Sequence, residues 1–196
     1  MNVKIKICGI RTSKDAFAAI DSGADYLGFN FVPDSRRFVD PMFAAKIIAM
    51  IKDKIQTVGI FQNADVAVVK KVAKQLGLDF VQLHGQENSE YIKQIHSRVI
   101  KAIHSPAEAP LYSVDYLLLD RARQGEGRMV DAREARAVAD TRPIFLAGGL
   151  TPYNVARAIR KIRPFAVDVA SGIESDGVPD VRKIREFIEN AKKAFI

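Results

Sequence analysis

The chain alternates between strand-like and helix-like segments along its whole length of 196 residues. Short runs rich in β-branched residues are followed by longer amphipathic runs, with about one such pair every 24 residues and about eight pairs in all. Strict alternation favours a parallel sheet, because each helix returns the chain to the start of the next strand. About eight units predict closure into a compact, single-domain (β/α)8 TIM barrel of the α/β class, with the helices as an outer ring.

Capping and turn residues set the expected bounds of these segments. The predicted strands are residues 3–8, 25–31, 56–61, 80–83, 99–103, 115–119, 143–146 and 165–169. The predicted helices are residues 12–22, 41–51, 65–76, 89–96, 132–139, 151–162 and 179–195, with a short or broken helix over 106–112 because of its prolines. An open, doubly wound sheet is the alternative, although no Gly-x-Gly-x-x-Gly follows the first strand.

Length and composition predict one domain over residues 1–196 with a sizeable core, since 48% of the residues are hydrophobic. Barrels of this kind typically have about 250 residues, which leaves little room here for a lid. No apolar run approaches the roughly 18 residues of a membrane span, and the first residues begin a strand without a signal-peptide pattern. The single cysteine argues for a reducing compartment, so we expect a cytoplasmic protein without a membrane partner.

The net charge of +7 allows a basic protein that binds RNA as one hypothesis. The basic residues are scattered over predicted helices, for example at Lys70, Lys71 and Arg160, and aromatic residues do not interleave with them. This pattern favours a solvated surface, so no nucleic-acid partner is expected.

The first predicted strand ends in the only cysteine of the chain, Cys8, directly before Gly9. Alternation along the strand puts Lys6 and Cys8 on one face, and Ile5 and Ile7 on a face that suits packing against helices. A lone cysteine is often a small buried hydrophobe, which is the alternative interpretation. A lysine on the same face lowers the pKa of a thiol, so we interpret Cys8 as a reactive residue.

The active site of a (β/α)8 barrel lies at the carboxyl ends of its strands. The candidates that follow predicted strand ends are Cys8, Arg36, Arg37, His84, Asp120, Gly148, Gly149, Asp168, Ser171 and Gly172. Gly148–Gly149 and Ser171–Gly172 come after the seventh and eighth strands, where turn amides with a helix N-terminus behind them can bind a phosphate. Ordinary turn glycines are the alternative, but two such turns at this place favour a phosphate site.

Two aspartates at strand ends have a predicted inward orientation. Asp120 shares a face with Leu118, while Leu117 and Leu119 face the other way. It is a candidate general acid if burial keeps it protonated, although an aspartate here can also cap the following turn. Asp168 should also point inward, where it could hold a sugar hydroxyl or pair with Lys6.

The ordered set of short motifs resembles the phosphoribosylanthranilate isomerase family of tryptophan biosynthesis, over nearly the whole chain. The motifs are Lys6-Ile7-Cys8-Gly9-Ile10, Gly23-Ala24-Asp25, Gly28-Phe29-Asn30-Phe31, Ser35-Arg36-Arg37-Phe38, Val58-Gly59-Ile60-Phe61, Val81-Gln82-Leu83-His84-Gly85, Leu118-Leu119-Asp120, Leu146-Ala147-Gly148-Gly149-Leu150-Thr151-Pro152 with Asn154-Val155, and Val167-Asp168-Val169-Ala170-Ser171-Gly172-Ile173-Glu174. Each motif is weak alone, but the full ordered set is highly specific.

The resemblance implies an Amadori rearrangement of an aminoaldose phosphate to an aminoketose phosphate, with a small phosphorylated substrate and no metal or redox cofactor. It implies that Cys8 is the general base and Asp120 the general acid, and that Arg37 binds the anthranilate carboxylate. It also implies that His84 and Asp168 line the substrate, and that the turns at Gly148–Gly149 and Ser171–Gly172 hold the phosphate. Whether the chain is a monomer or a homodimer stays open.

The chain departs from the family pattern after its acidic residue. Gln124-Gly125-Glu126-Gly127 replaces the usual Gly-Gly-Thr/Ser-Gly, and a carboxylate at Glu126 would lie unfavourably near a phosphate. Arg121, Arg123 and Arg128 could compensate, and Ala170 replaces a usual serine.

Two other phosphate-binding barrels are alternatives. A sugar-phosphate epimerase would need metal ligands, and His84, His96 and His104 do not all end predicted strands. The next synthase of the same pathway would show lysine and glutamate at strand ends, which this chain lacks.

Overall fold

The structure, a computed structural model, describes residues 3–120 and 131–195. Eight parallel strands close into a barrel in chain order, with the first strand paired to the last. The strands are β1 (Lys4–Cys8), β2 (Tyr26–Asn30), β3 (Gln56–Phe61), β4 (Phe80–Leu83), β5 (Arg98–Ile103), β6 (Tyr116–Asp120), β7 (Ile144–Ala147) and β8 (Ala166–Val169). The predicted (β/α)8 barrel is confirmed, and the open-sheet alternative is wrong.

Helices connect successive strands and surround the barrel. They are α1 (Ser13–Ser22), α2 (Pro41–Ile51), α3 (Val66–Leu76), α4 (Ser89–Ile92), α5 (Ala132–Thr141), α6 (Val155–Ile162) and α7 (Val181–Lys192), with 3-10 helices at Pro106–Leu111, Ser171–Ile173 and Lys193–Phe195. A small hairpin pairs Glu174–Ser175 with Val178–Pro179 after β8. Within the described ranges, no helix has the length and apolar character needed to cross a membrane.

Two helix boundaries differ from the expected ones by four residues, each for a local reason. The predicted helix over 89–96 ends at Ile92, because the next residues make tighter i to i+3 bonds, such as Ile95 N to Ile92 O at 2.9 Å. The helix expected from 151 begins at Val155. Asn154 forms a turn instead, since its side chain accepts from Thr151 N at 2.9 Å and donates to Gly149 O at 2.8 Å.

Side-chain alternation divides the core into two layers. The outer layer packs strand residues such as Ile5, Ile7 and Leu117 against the helices. The inner layer fills the barrel near the amino ends of the strands, where Tyr26 lies edge-on to Phe80 and Phe145 at centroid distances of 5.6 and 5.3 Å. The inner aromatic layer closes the floor of the barrel, and a cavity opens above it at the carboxyl ends of the strands.

Candidate active site

A cavity of about 350 Å³ opens at the carboxyl ends of the strands. Eight of the residues predicted from sequence line it, namely Cys8, Arg37, His84, Asp120, Gly148, Gly149, Asp168 and Ser171. The other two of the ten candidates do not line it. Arg36 is exposed and pairs with Glu174 at 2.8 Å, and Gly172 follows Ser171 and lies so close to the Leu150 carbonyl oxygen that a Cβ atom would have no room. The structure therefore brings the predicted site residues together from six strands or the loops that follow them.

The floor of the cavity carries a buried ion pair. Lys6 is fully buried, and its Nζ donates to Asp168 Oδ1 at 3.0 Å across the seam between β1 and β8. Burial acts to lower the pKa of Lys6, but Asp168 and Cys8 together raise it above its ordinary value. Lys6 is therefore a fixed ammonium group. The sequence left two roles open for Asp168, holding a sugar hydroxyl or pairing with Lys6, and the structure shows the pairing with Lys6.

The pKa of Cys8 differs from the sequence-based expectation. Burial raises the pKa of the Cys8 thiol, and this outweighs Lys6 and Arg37, which lower it. Asp168 opposes the lysine because its carboxylate also lies near the sulfur. Lys6 therefore lowers the pKa of Cys8, as expected from the sequence. The net pKa of Cys8 is nevertheless raised, so the expectation of a lowered pKa is wrong.

His84 connects the buried wall of the cavity to Asp120. Its Nε2 lies 3.5 Å from Asp120 Oδ2, and its Nδ1 lies 3.0 Å from the Nε2 amide nitrogen of Gln82, which is buried. An amide N–H that donates to Nδ1 leaves the ring proton on Nε2, facing the carboxyl group. The Nε2–H group of His84 can therefore donate a hydrogen bond to the ionised carboxylate of Asp120.

The loop that carries His84 is held by a second buried ion pair. Lys101 Nζ contacts Glu87 Oε2 at 3.3 Å and donates to Gly85 O at 2.6 Å. Glu87 accepts in turn from the backbone N–H groups of Asn63 and Gly85, at 2.7 and 3.0 Å. This network ties the loops after β3 and β4 to β5 and so fixes the backbone beside His84.

Arg37 reaches the cavity from the loop after β2. Its side chain passes over Gly9, where a Cβ atom would lie 2.8 Å from Arg37 Cδ and where φ is +87°. Its Nε and Nη2 donate to the two carboxylate oxygens of Glu174, at 2.5 and 3.0 Å. Only glycine suits position 9, since both the backbone conformation and the space exclude a side chain.

Sequence reasoning assigned no role to Gln82, Glu174, Lys101 or Glu87. Gln82 could have been found, because it shares the inward face of its strand with His84. Lys101 occupies an outward position between apolar neighbours, and a single sequence does not reveal its partner. The variant stretch 124–127, with Arg121, Arg123 and Arg128, lies outside the described residues.

Within residues 3–120 and 131–195, no group of three or more histidine, cysteine, aspartate or glutamate side chains is placed to hold a metal ion. What the cavity offers instead is a thiol, carboxyl groups, an imidazole and a guanidinium. Together with the fold, these define a (β/α)8-barrel enzyme with several ionisable side chains in its cavity.

Comparison with known proteins narrows this class. The family model for N-(5'phosphoribosyl)anthranilate (PRA) isomerase matches residues 5–190. An N-(5'-phosphoribosyl)anthranilate isomerase of Pelobacter propionicus is 45% identical over 201 residues, covering 97% of this chain and 96% of that protein. The chain belongs to the N-(5'-phosphoribosyl)anthranilate isomerase family, and it is an aldose–ketose isomerase of tryptophan biosynthesis.

Solved structures agree with this assignment. The phosphoribosyl anthranilate isomerase of Thermotoga maritima superposes with a TM-score of 0.89 at 37% identity, covering 97% of this chain and 98% of that one. Another phosphoribosyl anthranilate isomerase, in complex with reduced 1-(o-carboxyphenylamino)-1-deoxyribulose 5-phosphate, gives a TM-score of 0.82 at 34% identity, covering 97% and 98% of the two chains. The family resemblance predicted from the motifs is confirmed.

Proposed function

We propose that this chain converts N-(5'-phosphoribosyl)anthranilate into 1-(2-carboxyphenylamino)-1-deoxyribulose 5-phosphate, with Asp120 as general acid and Cys8 as general base. The observation that carries the proposal is the shared cavity, which both side chains line from β6 and β1. His84 beside Asp120, and Lys6 beside Cys8, give each group a partner for its ionised form.

Asp120 begins the reaction by giving a proton to the ring oxygen of the ribose. The bond between that oxygen and C1 breaks, and the nitrogen lone pair forms a C1–N double bond, so an open-chain iminium ion results. Asp120 becomes an anion at this step. The N–H at His84 Nε2, 3.5 Å from Asp120 Oδ2, can then stabilise the charge.

Cys8 in its thiolate form then removes the proton from C2, which the iminium ion has made acidic, and becomes the thiol. The C2–H electrons form a C1–C2 double bond and the iminium electrons return to nitrogen, so the product of this step is a neutral enolamine. Tautomerisation places a proton on C1 and removes one from the C2 hydroxyl, which gives the ketone. No external oxidant or reductant is needed, and each positioned group is worth about 10²- to 10⁴-fold in rate.

Two anionic ends of the substrate would hold the reacting carbons in place. The turns at Gly148–Gly149 and Ser171–Gly172 bind the phosphate, and Arg37 binds the anthranilate carboxylate. All but Gly172 line the cavity, and Gly172 follows the lining residue Ser171, which supports this assignment. His84 and Asp168 contact the sugar between the two ends. Holding both ends contributes an orientation effect at least comparable to that of one acid or base.

A fluorescence assay that follows consumption of N-(5'-phosphoribosyl)anthranilate tests the proposal. We expect Cys8→Ala and Asp120→Asn each to lower turnover by at least about 100-fold, with an unchanged circular dichroism spectrum. Asp53→Asn is the matched control, because Asp53 is exposed in the loop before β3, at the opposite end of the barrel. Near-normal turnover in either active-site variant contradicts the assigned roles.

We also propose that residues 1–196 act as one domain in the cytoplasm, as a monomer or a homodimer without a nucleic-acid partner. The free thiol of Cys8 supports a reducing compartment. Sedimentation velocity distinguishes the two oligomeric states. Salt-dependent binding to RNA without turnover of the substrate would favour the alternative of a basic binding protein.

A further inference from the structure

Glu174 is a buried carboxylate placed directly behind Arg37. It follows the 3-10 turn Ser171–Ile173, and only 6% of its side chain is exposed. Besides its two bonds from Arg37, it accepts from Arg36 Nη2 at 2.8 Å. One carboxylate is therefore shared by two neighbouring guanidinium groups of the loop after β2.

The hydrogen bonds of Arg37 leave one edge of its guanidinium group open. A guanidinium group has five N–H donors on three nitrogens. Glu174 takes the Nε–Nη2 edge, and within the described ranges Nη1 has no hydrogen-bond partner. Since Arg37 lines the cavity, the Nη1–Nη2 edge is the one that remains for a second carboxylate.

Several contacts fix the guanidinium group in this orientation. The Arg37 side chain lies directly over Gly9, so close that a Cβ atom there would be 2.8 Å from Arg37 Cδ. Ser35 Oγ accepts from Arg37 N at 3.2 Å and from Asn30 at 3.1 Å, so the loop backbone is also anchored. Displacing Glu174 would leave a buried carboxylate with only the exposed Arg36 as partner, which is unfavourable.

The charge of the cluster suits one carboxylate. Within the cluster of Arg36, Arg37 and Glu174, two guanidinium groups and one carboxylate leave a net charge of one positive, beside the cavity that Arg37 lines. A benzoate-like group supplies one negative charge and two oxygens in a plane, which matches the open edge of Arg37.

We propose that Glu174 is a positioning residue for substrate recognition. It holds the Nε–Nη2 edge of Arg37 so that the Nη1–Nη2 edge receives the carboxylate on the aromatic ring of the substrate, and it stays paired in the complex. The inference rests on the proposed function, because it assumes that this carboxylate binds Arg37.

Two stable inhibitors separate this role from a general structural one. The first is the reduced product, 1-(2-carboxyphenylamino)-1-deoxyribitol 5-phosphate, and the second is the same compound without the carboxylate. We expect Glu174→Gln to raise the Kd of the first about tenfold and to leave the Kd of the second unchanged. For the substrate itself, KM should rise about tenfold and kcat should fall by a smaller factor.

Glu189→Gln is the matched control, because Glu189 is an exposed glutamate on α7 whose nearest cation, Lys193, is 3.9 Å away. It should leave both Kd values unchanged. Equal weakening of both inhibitors by Glu174→Gln, or no weakening of either, overturns the proposal. If the wild type fails to turn over N-(5'-phosphoribosyl)anthranilate, the proposed function fails; if it succeeds and the two inhibitors respond alike to Glu174→Gln, only the role of Glu174 fails.

A second measurement does not depend on the stability of a variant. The Nε–H of Arg37 in the wild-type protein can be followed by NMR, with Arg37→Lys used for assignment. Its exchange with solvent should stay slow when the reduced product saturates the protein, because Glu174 keeps its bond. Faster exchange in the complex would mean that the ligand carboxylate displaces Glu174, which overturns the proposal.

Discussion

At Cys8, opposing influences act on one thiol. Burial raises its pKa, Lys6 and Arg37 lower it, and Asp168 partly cancels the lysine. The Lys6 ammonium group is already paired with the Asp168 carboxylate at 3.0 Å. Its stabilisation of a Cys8 thiolate is therefore partly cancelled. The free protein thus keeps Cys8 largely as a thiol at neutral pH, and the cationic intermediate would supply the charge that favours the thiolate.

This balance predicts the pH dependence of the reaction. A base that is protonated below a raised pKa gives kcat/KM that increases about tenfold per pH unit through neutral pH. Lys6→Met removes a cation that lowers the pKa of Cys8, so the rising limb should move to higher pH and activity at pH 7 should fall. The measurement is a pH profile of kcat/KM for both proteins.

Lys4→Met is the control for this profile, since Lys4 lies on the same strand but is exposed and pairs with Asp25 at 2.7 Å. Its profile should match the wild type. An unshifted limb in Lys6→Met would show that the titrating group is not Cys8.

At the scale of single elements, the loops after β3 and β4 depend on the Lys101–Glu87 pair rather than on turn propensity. The side chains of Lys101 and Glu87 are 1% and 2% exposed. The motif around His84 predicts the strand end correctly, because inward alternation and a glycine are local signals. The ion pair beneath it is not local, since it joins residues of neighbouring elements whose proximity only the closed sheet creates.

Breaking this pair should destabilise the protein strongly. Lys101→Met leaves Glu87 buried with backbone N–H donors but no cation, a change that costs about 3 to 5 kcal/mol in unfolding free energy. Lys101→Met combined with Glu87→Gln should recover part of the loss. Urea denaturation followed by circular dichroism measures both.

Lys93→Met tests the same substitution at a surface pair, because Lys93 and Glu90 are 70% and 77% exposed. Its effect should be much smaller. Equal effects of Lys93→Met and Lys101→Met would contradict the importance assigned to the buried pair.

For the molecule as a whole, barrel closure is what turns separate strand ends into one site. Strand alternation predicts the fold, and the rule that active sites lie at the carboxyl ends of barrel strands predicts most of the cavity lining. Sequence could not predict the net pKa of Cys8 or the partner of Arg37. Both depend on distances across the barrel mouth, which are set by the closed register and by the hairpin after β8.

The seam that closes the barrel, between β1 and β8, is also the place where stability and chemistry meet. Asp168 and Cys8 keep the pKa of Lys6 above 10.5, so the contribution of the Lys6–Asp168 pair to the free energy of unfolding is present below that pH and is lost above it as Lys6 loses its proton.

At pH 7, Asp168→Asn leaves a fully buried ammonium group without its carboxylate, which should lower the free energy of unfolding by about 3 kcal/mol. Lys6→Met combined with Asp168→Asn should regain part of this, and Asp140→Asn, on the surface of α5, should leave the urea midpoint unchanged. If Asp168→Asn has the urea midpoint of the wild type, the Lys6–Asp168 pair does not stabilise the contact between β1 and β8. The role of Asp168 would then be limited to binding the substrate.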